Sequence, residues 1–148
     1  YGLSQSPDNM WNVTANAEEQ RRRSVYMLSR RTFRPAMFES FDAPDGIRTC
    51  SRREESNTAP QSLTLLNGKW TTDEARRLGS SIAIEGSTSA DVAKRAWRHV
   101  LARDPEPAEL ERASKFIEAQ TVELGKQSAA ASELARALFN TNEFLYVD

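Results

Sequence analysis

From Thr58 to its end the chain carries apolar residues at helical spacing; before Thr58 it hardly does so. Thr58 has the chemistry of an N-cap ahead of Pro60–Leu66, and Asn67-Gly68 that of a stop, which predicts a helix over 60–67. Thr72 reads as the next cap, with Asp73 and Glu74 in a first turn where carboxylates favour the helix dipole. Ala75, Leu78 and Ile82 follow at i, i+3 and i+7, so a second helix is predicted over 72–85, ended by Gly86. Ser89 opens a third, over 90–102, whose broad stripe is Val92, Ala93, Ala96, Trp97, Val100 and Leu101. Asp104-Pro105-Glu106-Pro107 breaks the chain, and Pro107 suits the first position of a fourth helix over 107–124. That helix carries Leu110, Ala113, Phe116, Ile117 and Leu124, and Gly125 stops it. A fifth, from about Ser128 to Asn140, turns Leu134, Ala137 and Leu138 inward. The expected core is Leu78, Ile82, Val92, Ala96, Trp97, Val100, Leu110, Ile117, Leu134 and Leu138. The apolar tail Phe144-Leu145-Tyr146-Val147 is expected to dock, and to meet an arginine-rich segment near the start of the chain.

The N-terminal part is less regular. Residues 1–20 read as linker or loop, rich in turn formers such as Ser4, Pro7 and Asn9. Val25-Tyr26-Met27-Leu28 is too short to separate strand from helix by period, and leaves room for one short extended segment. Pro35 to Phe41 predicts a short helix with Met37, Phe38 and Phe41 on one face, ended by Asp42, Pro44, Asp45 and Gly46. The fold class is therefore mainly α: a single helical domain over 21–148 with an irregular, arginine-rich N-terminal third.

Net charge is −1, which by itself points to neither nucleic acid nor a membrane surface. The balance hides an asymmetry. Between Gln20 and Arg53 stand nine arginines (Arg21, Arg22, Arg23, Arg30, Arg31, Arg34, Arg48, Arg52 and Arg53) against Glu39, Asp42 and Asp45. The apolar runs are too short to span a membrane. The lone cysteine, Cys50, excludes an intrachain disulfide and a c-type haem attachment, which needs a second cysteine nearby. No cofactor is expected in this chain.

Candidate chemistry is thin. Arginine forks pair bidentately with carboxylate, sulfate or phosphate, so the cluster could line an anion site or simply pair with its own acids. Asp42 and Asp45 with Glu54 and Glu55 have the groups for acid–base work, but Asp42-Ala43-Pro44-Asp45-Gly46 reads better as turn chemistry. His99, the single histidine, falls two residues from Trp97 and so off its stripe. Cys50 sits among arginines that could lower its pKa. Trp11 and Trp70 are in loop-like surroundings, and Asn142-Glu143 could satisfy a helix end or bind a ligand.

Four strings in order carry a family resemblance. They are Arg22-Arg23-Ser24-Val25-Tyr26; Phe41-Asp42-Ala43-Pro44-Asp45 with Cys50, Arg52 and Arg53; Asn57 through Asn67; and Ala137 through Asp148. Together the chain resembles the C-terminal domain of unknown function (number fifteen-fifty-three) of planctomycete-type cytochrome-c-associated proteins. The resemblance implies a C-terminal piece of a large exported bacterial protein, periplasmic or at the cell surface, with an upstream cytochrome-c-like domain. It brings no catalytic residues. Gly68-Lys69-Trp70 departs from the family's usual Asp followed by Pro and Phe. Three functions arise as expectations. The first is a non-catalytic accessory module packing on an upstream domain of the same polypeptide. The second is part of an enzyme or binding site for a sulfated or carboxylated saccharide, with Arg23, Arg31, Asp42, Arg52, Arg53 and Asn67 converging on one pocket. The third, nucleic-acid binding by Arg21–Arg34 with Tyr26 and Phe33, is disfavoured by the acidic remainder.

Overall fold

A computed structural model describes residues 16, 19–26, 36–43 and 58–146. Two 3-10 turns, Glu19–Arg21 and Ser24–Tyr26, come first. Seven helices succeed them among the described residues: α1 (Ala36–Ser40), α2 (Ala59–Asn67), α3 (Lys69–Ile82), α4 (Ser89–Val100), α5 (Pro107–Leu124), α6 (Gln127–Leu138) and α7 (Asn142–Leu145). The described residues contain no strand, and the mainly-α expectation holds. Where an extended segment had room, Tyr26 N–H donates to the Arg23 carbonyl at 3.0 Å and closes a local turn, with Val25 and Tyr26 both exposed. Met27 and Leu28 lie outside the described residues, as do residues 1–15 of the expected loop and Val147 of the tail. The chain divides into two compact units, residues 1–61 and 62–148.

In the first unit α1 ends in a Schellman turn. Ala43 N–H donates to the Phe38 carbonyl at 2.9 Å and Asp42 N–H to that of Glu39 at 3.3 Å. Such a turn needs a left-handed residue, and Asp42 supplies it at φ 52°. Aspartate tolerates this conformation better than most side chains. Gln61 Nε2 donates to the Asp42 carboxylate at 3.3 Å. Its Oε1 accepts the Thr58 N–H at 3.1 Å, so Thr58 stands at the start of α2 as expected.

In the second unit α6 is central, packed on α3, α4 and α5. Its inward side is made of small residues: Ala130, Ala131, Ser132 and Ala135 are buried along with Leu134 and Leu138. Gly79 of α3 lies against Ser128 and Ser132, which lets the two helices approach closely. Ile82, Val92, Ala93, Ala96, Trp97, Ala113, Ile117, Ala130, Ala131, Leu134 and Leu138 form one cluster, with Leu78, Val100, Leu101 and Leu110 half-buried against it. Burying apolar area of this kind is what holds the unit together. Every residue of the expected core is in or against this cluster. Phe116, Leu124 and Ala137, expected inward, are exposed.

The helix starts correct the sequence expectation in two places. α3 begins at Lys69, not after Thr72. Gly68 is extended, and its carbonyl accepts both the Thr72 N–H at 2.9 Å and the Thr72 hydroxyl at 3.0 Å, so Thr72 is bonded from inside the helix. A Cβ on Gly68 would lie 2.3 Å from the Thr64 carbonyl oxygen, which is why glycine links α2 to α3 so tightly. Trp70, expected in a loop, therefore sits in the first turn of α3. α4 is capped by Thr88, not Ser89. The Thr88 hydroxyl accepts the Asp91 N–H at 3.2 Å while the Asp91 carboxylate accepts the Thr88 N–H at 3.2 Å, a reciprocal box that requires a spacing of three. α5 keeps the predicted bounds, with Pro107 first and Gly125 left-handed at φ 72°. No helix among the described residues is long and apolar enough to cross a membrane.

Candidate functional site

Arg23 succeeds the first 3-10 turn and is exposed. Asp42 is half-buried at the end of α1, held by its turn and by Gln61. Asn67 is the last residue of α2 and is exposed. Arg31, Arg52 and Arg53 lie outside the described residues, as do Trp11, Asp45, Cys50, Glu54 and Glu55. His99 is exposed on α4, off the buried stripe, as its spacing from Trp97 implies. No group of three or more metal-ligating side chains occurs among the described residues.

The most organised polar cluster includes Glu143, which the sequence singles out with Asn142, but it centres on Arg103, which the sequence does not. Arg103 stands in the loop between α4 and α5, just after Ala102, which is left-handed at φ 56°. Its Nη1 and Nη2 donate to the two carboxylate oxygens of Glu109 at 2.8 and 2.9 Å. Its Nε and Nη2 donate to those of Glu143 at 2.5 and 2.8 Å. Nη1 also reaches the Asp104 carbonyl at 3.0 Å. These five bonds use all five N–H donors of the guanidinium. One arginine thus ties the α4–α5 loop to the first turn of α5 and to α7.

The two carboxylates are not equivalent. Glu109 is third in α5, and its carboxylate also accepts the Glu106 N–H at 2.7 Å, so it belongs to the helix cap as well. The Arg103 fork first, and then the Glu106 N–H, hold its carboxyl down at about 2. The buried indole N–H of Trp97 makes no hydrogen bond of normal geometry, yet it adds the smallest of the effects keeping Glu109 ionised. Glu143 is also held below the usual carboxylate range by Arg103, while Glu109 opposes it. Its side chain is 46% exposed against 23% for Glu109. Beside this cluster Arg98 pairs with Asp104 at 2.5 Å on the surface.

Both carboxyls around Arg103 are stabilised as anions, the opposite of what a proton donor near neutral pH requires. The geometry is that of a carboxylate clamp. A signal for half of it was present in the sequence, since Arg103 precedes an acid placed three residues after Glu106; its other half comes from forty residues away.

No curated protein and no solved structure matches the chain. A family model described as a protein of unknown function (PSD1, DUF1553) matches residues 2–117, well over half of the chain, and the chain belongs to that family.

Proposed function

We propose that this chain is a non-catalytic accessory module that packs on an upstream domain of the same polypeptide. The observation that supports it most is the apolar surface around the α2–α3 junction. Leu63 and Leu66, one turn apart on α2, are 57% and 40% exposed, and Trp70 in the first turn of α3 is 41% exposed. Single exposed apolar residues are ordinary, but three large ones within eight positions suit a surface made to be covered. On this reading the covering domain is of cytochrome-c type, the polypeptide is an exported planctomycete-type protein, and any haem is carried upstream.

The test is a photo-crosslinking side chain at position 66 in the whole polypeptide, with mass spectrometry of the product. Crosslinks from position 66 to upstream segments of the same polypeptide support the reading. Crosslinks confined to a second copy, or none at all, overturn it. A Leu63→Ser, Leu66→Ser double variant sharpens the result: it should abolish the crosslink from a probe at position 70 while leaving the melting of residues 62–148 unchanged.

A further inference from the structure

We infer that the Arg103 guanidinium is a binding site for a protein carboxylate, occupied in this state by the chain's own Glu143. Arg103 is fixed from one side. Glu109 clamps it bidentately, and Glu109 is itself fixed by the Glu106 N–H and by its place in the first turn of an eighteen-residue helix. That leaves the Nε–Nη2 edge of the guanidinium as a preset fork, the geometry that takes up a planar carboxylate by two parallel bonds.

Among the described residues, the occupant of that edge has few other ties. Glu143 belongs to a four-residue helix whose N-cap, Thr141, makes no side-chain capping bond. Among the described residues, α7 has one ring contact, Phe144 against Phe139 at 5.2 Å between centroids, and Leu145 is half-buried. Phe144 and Tyr146 are themselves exposed. Both partners of this ion pair are part-exposed, so water screens it and the tail exchanges with solvent. Its advantage is that it is tethered, which gives it an effective concentration on the order of millimolar. A partner's Glu or Asp side chain, brought in by contacts of its own, would displace Glu143 and keep both bonds. α7 is then a self-ligand that keeps the fork filled until a carboxylate-bearing segment replaces it.

The experiment tracks the Nε–H resonance of Arg103 in the full chain while acetate is added at constant ionic strength, with chloride as the control anion. In Glu143→Gln, which keeps the size of the side chain, acetate should shift this resonance saturably. Half-saturation should come at a concentration severalfold lower than in the wild type, where the tail competes. The Arg103→Lys, Glu143→Gln double variant, monitored through the Trp97 indole N–H, should give no saturable shift, since an ammonium has no fork. Equal titrations of wild type and Glu143→Gln, or no saturation in Glu143→Gln, overturn the inference. If Glu143→Gln lowers the melting temperature, removal of residues 142–148 supplies the second test. That truncated chain should bind acetate as Glu143→Gln does, and failure to do so also overturns the inference.

Discussion

Gly79 lies so close to Ser132 that a Cβ built on it would fall 2.2 Å from the Ser132 hydroxyl and 2.5 Å from its backbone nitrogen. The Ser128 carbonyl oxygen would be 2.7 Å away. The hydroxyl could rotate aside; the two backbone atoms can yield only if α3 and α6 part. Gly79→Ala should therefore destabilise the second unit by about 2–3 kcal/mol, at the upper end of overpacking costs. The urea midpoint of unfolding, read by Trp fluorescence, measures it. Gly86→Ala is the control: nothing lies within 4 Å of its Cβ, and only the φ of +78° opposes the substitution. That change should cost about 1 kcal/mol. Equal losses at the two sites would mean that the close approach of α3 and α6 is not what requires Gly79.

Ala102 presents the opposite case. It is left-handed at φ 56° immediately after Leu101, the C-terminal cap of α4, a position that glycine usually takes. Ala102→Gly should raise stability by about 0.5–1 kcal/mol, because the strain relieved exceeds the chain entropy that glycine adds to the unfolded state. The melting temperature of the purified chain checks the sign.

Ile117 is fully buried in the cluster, whereas Leu101 is half-buried at its margin. Ile117→Ala should cost about 2–5 kcal/mol and Leu101→Ala less than half of that, since a rim site collapses or fills with water more easily. Chemical denaturation of the two variants side by side decides it. A loss at Leu101 equal to that at Ile117 would place Leu101 inside the core.

What the sequence made legible was local. Pro107 and Gly125 bound α5 where they were expected to, because each acts on its own backbone dihedral. The apolar stripe through Val92, Ala96 and Trp97 marked the core face of α4 for the same reason. Thr88 and Ser89 have equal capping chemistry, and only the spacing to Asp91 decides between them. Gly68 has the local signature of a stop, but its role depends on how close the Thr64 carbonyl comes, which no local pattern encodes. The buried alanines of α6 were hidden by size: Ala130, Ala131 and Ala135 carry little hydrophobic signal. The Glu143 half of the Arg103 clamp was invisible for a further reason. Glu143 is forty residues from Arg103, and only folding brings them within hydrogen-bond distance.

That clamp also gives the second unit an acid-sensitive component. The Glu109 carboxyl is held at about 2 in the folded chain, chiefly by Arg103, against an unfolded value of about 4.3. A group depressed by folding binds fewer protons in the native state, so its contribution is complete above the unfolded value and disappears as pH falls towards 2. The loss should therefore run from about pH 5 down to about pH 2, with none between about pH 6 and 8. Glu143, Asp91 and Asp104 are shifted in the same direction and add to the acid loss, so the wild-type curve alone does not isolate Glu109. Glu109→Gln does. At about pH 7 it should be less stable than wild type by about 1 kcal/mol, the size of a charged pair partly screened by water. The gap should narrow steadily below about pH 5 and be nearly closed by about pH 2. Urea midpoints of both proteins at half-unit steps across that range measure the gap directly. A gap that stayed constant throughout would mean that Glu109 stabilises the fold by its shape and its cap bond, and that its charge on Arg103 contributes nothing.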